Sequence, residues 1–141
     1  MEKSSENLVH QLISLNMARI ERLQGAIQYV ESQRLKCILS DLSLQSQSFI
    51  MELKCVIKLY GGKADNIVSP LIQMPAFENN GLKTDSSICL VLLEYERENL
   101  SNYKFALLSG HNLDNNLFEK IRTQKTELQE GARKLWESLR I

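Results

Sequence analysis

The sequence predicts an all-α fold: a four-helix bundle made of two antiparallel helical hairpins joined by a long crossover connector. Three observations carry this. Both prolines, Pro70 and Pro75, and three of the six glycines, Gly61, Gly62 and Gly81, fall between residues 61 and 83, and Gly and Pro are the strongest local breakers. The flanks on either side are almost free of breakers and rich in Leu, Ile, Glu, Lys, Gln and Arg. Within those flanks apolar residues recur at steps of three and four, the period of a helix that buries one face. At 141 residues and 16.2 kDa the chain reads as one domain, residues 1–141. Two halves of about 70 residues would each lie near the lower limit for an independent core.

The first helix is expected over about residues 5–31, where Ile13, Ile20 and Ile27 recur every seven residues with Leu12, Leu23 and Val30 beside them and Gly25 as a weak point. The second is expected over 33–60, capped by Ser32. Its stripe is Ile38, Leu42, Gln45, Phe49, Leu53, Val56 and Tyr60, and Gly61-Gly62 supplies a left-handed stop. The third is expected over 85–109, with Thr84 or Asp85 as cap and Gly110 as stop. Its stripe is Cys89, Leu93, Glu96, Leu100, Tyr103 and Leu107. The run 88–93 alone would suit a buried strand, but the helical period of the residues after it decides for helix. The fourth is expected over 115–139, with Asp114 as cap and Leu113 placed to staple onto Phe118. Its stripe is Leu117, Ile121, Gln124 or Lys125, Leu128, Ala132, Leu135 and Leu139.

The connector, residues 61–83, has 23 residues, long for a turn between neighbouring helices. Extended it reaches about 70 Å, against about 38 Å for a 25-residue helix. It can therefore run the length of the bundle and make the second and third helices parallel. That is the one-crossover topology of ferritin-like folds. Ile67, Val68, Leu71, Ile72, Met74 and Phe77 suggest that part of it packs on the bundle.

Charge and cysteine usage exclude several classes. Seventeen Lys and Arg balance 17 Asp and Glu, which removes the electrostatic case for binding nucleic acid or an anionic membrane. Cys37, Cys55 and Cys89 are odd in number and far apart, with no CxxC pair. Each lies among apolar residues, so all three are expected to be buried, reduced thiols, and the compartment cytoplasmic. The polar start of the sequence does not read as a signal peptide, and no apolar run approaches a bilayer span. No triad context or phosphate loop is present, so no enzyme activity and no cofactor are expected.

Two residues on the apolar stripes are polar: Gln45 and Glu96. Counting outward from the turns puts Glu21 level with Gln45, and Glu96 level with Gln129. A ferritin-like di-iron centre takes a Glu from each of two helices and a Glu-x-x-His pair from each of the other two. Its metal ions bring four or more positive charges, and imidazole suits iron. The only histidines are His10 and His111, and neither follows a Glu by three residues. Two readings of the four polar residues remain. One is a hydrogen-bonded polar layer in which the glutamine amides serve the carboxylates and Arg19, Arg22 or Arg97 neutralises charge at its edges, with Glu21 otherwise facing water. The other is a residual iron or manganese site on Glu21 and Glu96.

These residues also resemble an uncharacterised bacterial ferritin-like family, a domain of unknown function. Its first helix carries Leu-Ile and then Asn-Asp-Arg-Ile-Glu; here Leu12-Ile13 is followed by Met17-Ala18-Arg19-Ile20-Glu21, with Ala18 where the family has Asp. Its second helix carries the spacing seen in Gln45-Ser46, Phe49, Glu52-Leu53 and Gly61-Gly62. Its third matches at Glu96, Tyr103 and Ala106-Leu107. The fourth departs: the family's His corresponds to Gln129, and the connector lacks a stretch that many members carry. The resemblance implies a cytoplasmic, bacterial ferritin-like bundle with a degenerate metal site and no settled reaction. An interaction or stress-associated role is the expectation. A homodimer is expected too, through the third helix or the connector. Leu39, Leu44, Leu59, Leu90, Leu92, Leu108 and Trp136 exceed what one seam needs.

Overall fold

The computed structural model describes residues 3–62, 84–109 and 113–139. They form four helices: α1 (Lys3–Ile27), α2 (Gln33–Leu59), α3 (Asp85–Ser109) and α4 (Asn115–Glu137). The expected packing of the connector, the Gly110 stop and the position of His111 lie outside the described residues.

The helix ends follow from capping chemistry. α1 stops four residues sooner than the period suggests, just past Gly25. There the amides of Gln28 and Tyr29 turn to the carbonyls of Gly25 and Ala26, three residues back, and tighten the last turn. Ser32 caps α2 by accepting from the Leu35 amide at 3.2 Å. α2 closes on a Schellman motif: the Gly62 amide donates to Ile57 O and the Gly61 amide to Lys58 O, with Gly61 at φ 78°. Thr84, not Asp85, caps α3, its hydroxyl accepting from the Ser87 amide at 3.1 Å. The Asp85 carboxylate instead accepts from the Glu31 and Ser32 amides at 2.8 and 2.9 Å, fastening the start of α3 to the α1–α2 turn. At the other end the Tyr60 hydroxyl donates to Asp114, whose carboxylate also caps α4 through the Asn116 and Leu117 amides.

Contacts across the bundle fix its topology. Along α1, residues 16, 19 and 22 meet residues 103, 96 and 95 of α3. Numbers rise in one helix as they fall in the other, so the two are antiparallel. α1 and α2 are antiparallel through their short turn, which makes α2 and α3 parallel, as the crossover requires. α4 runs against α2, with Glu52 on Lys120, Phe49 on Gln124 and Gln45 on Glu127. It also runs against α3, with Tyr103 on Gln124 and Cys89 on Ser138. The parallel helices α2 and α3 therefore stand on one diagonal, α1 and α4 on the other.

The apolar interior is divided in two. Val9, Leu12, Ile13, Phe49, Leu53, Ile57 and Ile121 are in one cluster; Leu23, Ala26, Leu35, Leu39, Ile88, Leu92 and Leu135 are in the other. Several residues differ from expectation. Cys37 and Cys55 are exposed, and only Cys89 is buried. Cys37 lies two residues from the buried Leu35 and Leu39, and Cys55 two from the buried Leu53 and Ile57; at about 100° per residue that is about 200°, the opposite side of the helix. Leu39 and Leu92, expected at the surface, are buried, whereas Leu44, Leu59, Leu90, Leu108 and Trp136 are exposed. Among the described residues no helix is long and apolar enough to cross a membrane.

Candidate functional site

Between the two apolar clusters lies a belt of polar side chains. Asn16 and Arg19 come from α1, Ser46 from α2, Glu96, Asn99 and Tyr103 from α3, and Gln124 from α4; all are buried. At its centre the Arg19 guanidinium grips the Glu96 carboxylate. Nε donates to Oε1 and Oε2 at 3.1 and 3.0 Å, and one terminal nitrogen donates to Oε1 at 2.6 Å. The fork of the guanidinium matches the two carboxylate oxygens, the strongest geometry this pair can adopt. The other terminal nitrogen serves Leu42 O at 3.2 Å, Gln45 Oε1 at 2.9 Å and Ser46 Oγ at 2.9 Å. Asn99 donates a further bond to Glu96 at 3.3 Å.

From Arg19 a chain of hydrogen bonds runs in one direction across the bundle. Arg19 donates to Ser46 Oγ; that hydroxyl donates to Asn16 Oδ1 at 2.8 Å; the Asn16 amide donates to the Tyr103 hydroxyl at 3.0 Å. Tyr103 in turn donates to Gln124 Oε1 at 2.6 Å, and the Gln124 amide ends the chain on Phe49 O at 3.3 Å. Each group that accepts is also a donor to the next, an arrangement in which the bonds polarise and strengthen one another. Burial pushes the Tyr103 hydroxyl well above the usual phenol range, although Asn16 and the nearby Arg19 charge pull the other way. Its proton is thus held for Gln124.

α4 makes room for Leu42, next to the pair, with a glycine. A Cβ at Gly131 would come within 2.6 Å of Leu42 Cδ2 and within 3.6 Å of Arg19. Beside the pair, Arg22 stacks on the Tyr95 ring, 4.1 Å from its centroid.

The structure places the sequence-predicted residues unevenly. Glu96 is buried at the centre, 3% exposed. Gln45 is half-buried and bonds to Arg19 and to Glu127 O. Glu21 and Gln129 are both exposed and take no part in the belt. The layer is built on Arg19 and Gln124 in their place, and Arg19, expected at an edge, is its core. Asn16, Asn99 and Gln124 were not singled out as site residues. His10 lies half-buried beside Glu6, at 3.9 Å. Among the described residues no group of three or more His, Cys, Asp or Glu is placed to hold a metal ion.

No protein-family model matches the sequence, and no curated protein is similar to it. Solved structures do match. One, described as the crystal structure of ferritin like, diiron-carboxylate proteins from Bacillus anthracis str. Ames, has a TM-score of 0.77 and 18% sequence identity, over 99% of each chain. The fold of the described residues is therefore ferritin-like.

Proposed function

We propose that this chain is a non-catalytic ferritin-like bundle, an interaction or stress-associated protein, whose metal position is degenerate and whose interior is held by an ion pair. The observation that carries the reading is Arg19. The residue is 2% exposed and its guanidinium grips Glu96, the one buried carboxylate among the described residues. One solved structure that shares this fold is described as a diiron-carboxylate protein. A di-iron centre needs several carboxylates and imidazoles to balance four or more positive charges. Here the donor set does not fit. One carboxylate is already neutralised by a fixed cation, and a metal ion at Glu96 would stand against the guanidinium. A residual iron or manganese site on Glu21 and Glu96 is the weaker reading, since Glu21 is exposed and Glu96 is taken by Arg19. The belt's hydrogen-bonding groups are spent on one another, which supports a role in binding rather than in a reaction. Metal analysis of untagged protein purified without chelator tests this. Less than a tenth of an equivalent of iron or manganese, about the trace level of adventitious binding, is expected; one equivalent or more would overturn the reading.

A further inference from the structure

A groove of about 550 Å³ runs between α3 and α4, outside the polar belt. Its apolar lining includes Leu93, Leu100 and Ala132, with Leu90 and Trp136 among its walls. Leu90 and Trp136 stand 51% and 53% exposed. The groove is not the same along its length. Cys89 meets Ser138 and Tyr103 meets Gln124 across the two helices, so Trp136 stands level with Leu90 and Val91, at the end opposite Leu100. One end projects a large aromatic ring; the other is a hollow lined by Leu100 with Arg97 and Gln129 at its sides. Midway, Glu94 and Arg97 lie one turn apart on α3, both exposed, and neither is in an ion pair among the described residues.

These features complement themselves under a two-fold axis. An axis lying in the interface, perpendicular to α3 and passing over it between Tyr95 and Glu96, sets Glu94 opposite Arg97 of a second copy, and Arg97 opposite its Glu94. The same rotation carries Trp136 over the second copy's Leu100, so each projecting end meets a hollow one. We infer that two copies of this chain pair across the α3–α4 groove, with Trp136 of each seated in the other's groove and two Glu94–Arg97 pairs fixing the register. A two-fold contact uses the same patch twice, and this patch is matched to itself in shape and in charge. The chain's zero net charge leaves no long-range repulsion to oppose it.

Trp136 is the only tryptophan, so its fluorescence reports the contact directly. Between about 1 and about 100 micromolar, a range suited to a contact of this strength, the sedimentation-equilibrium mass is expected to rise from 16.2 kDa toward twice that value. The tryptophan emission should move to the blue in step. Arg97→Glu sets like charges face to face and should weaken dimerisation at least about tenfold. Adding Glu94→Arg to it reverses both charges and should restore dimerisation to within about threefold. Trp136→Ala should weaken it without altering helix content. A mass that stays at 16.2 kDa with emission independent of concentration would overturn the inference, as it would if the connector fills the groove. A dimer indifferent to Arg97→Glu and Trp136→Ala, or a charge reversal that fails to restore, would also overturn it.

Discussion

Taking Arg19 and Glu96 out of water costs several kcal/mol for each ion, and only a full set of partners offsets it. The structure supplies one: each guanidinium nitrogen has an acceptor, and Glu96 takes a fourth bond from Asn99. The same logic governs Tyr103. Tyr103→Phe leaves Gln124 Oε1 without its donor and Asn16 with only the Leu12 carbonyl to donate to, and should cost about 1–3 kcal/mol in denaturant unfolding. Its pH dependence has a definite sign. The folded pKa is raised, so the contribution is fully present below the unfolded value of about 10. It is lost as pH rises beyond that, because the unfolded phenol ionises while the folded one keeps its proton. Tyrosine absorbance at high pH should therefore show one of the four tyrosines ionising only with unfolding, and a Tyr103→Phe variant should lack that step. Glu96 was legible in the sequence as a carboxylate on an apolar stripe. Arg19 was read only as one of three possible edge cations and not as the centre, because arginine is among the residues most often exposed. Yet Leu12, Asn16, Arg19 and Leu23 are spaced by 4, 3 and 4, a stripe that could have shown it.

At the scale of the helix, the sequence reading found the four helices, most of their ends and much of the inward face, including Leu42, Phe49, Leu53, Glu96, Tyr103, Leu117, Ile121 and Leu128, and missed part of that face by a residue. The buried stripe of α2 is Leu35, Leu39, Leu42, Ser46, Phe49, Leu53 and Val56, and that of α4 passes through Gly131. The apolar pattern alone favoured Ile38 and Ala132, one residue away. In α1 the regular Ile13, Ile20 and Ile27 outweighed the stripe through Asn16 and Arg19, whose polar members lower its apparent hydropathy. Counting from the turns still gave the right depth: Arg19 and Ser46 lie at nearly the level assigned to Glu21 and Gln45. Depth depends only on where the turns are, whereas facing depends on a rotation of about 100° per residue, so a one-residue error moves a side chain from core to water. The caps were legible because they are local. Asp114 serves two ends, capping α4 and accepting from Tyr60 at the end of α2. Asp114→Ala should lower the thermal unfolding midpoint, as the loss of an N-cap does, and Asp114→Asn should lower it less. The Tyr60 hydroxyl holds the Asp114 carboxyl below its usual 3.8. Its contribution is then present above that value and lost as pH falls through the depressed one, so the acid limb should be shallower in Asp114→Asn.

Across the whole molecule, the connector leaves α2 at the end where Asp114 meets Tyr60 and enters α3 at the end where Asp85 meets the α1–α2 turn. The end of α2 and the start of α3 therefore lie at opposite ends of the bundle. This was legible because length and composition alone set it. The two hairpins then meet along α1–α3 and α2–α4, and the Arg19–Glu96 pair crosses between them, one ion from each hairpin. A double-mutant cycle on unfolding free energy tests most directly whether this pair organises the interior. Arg19→Met alone, which strands the carboxylate, should cost about 3–5 kcal/mol. Arg19→Met with Glu96→Leu should cost less than the two single losses summed, by at least about 2 kcal/mol. Single losses that add to within about 0.5 kcal/mol would contradict the account.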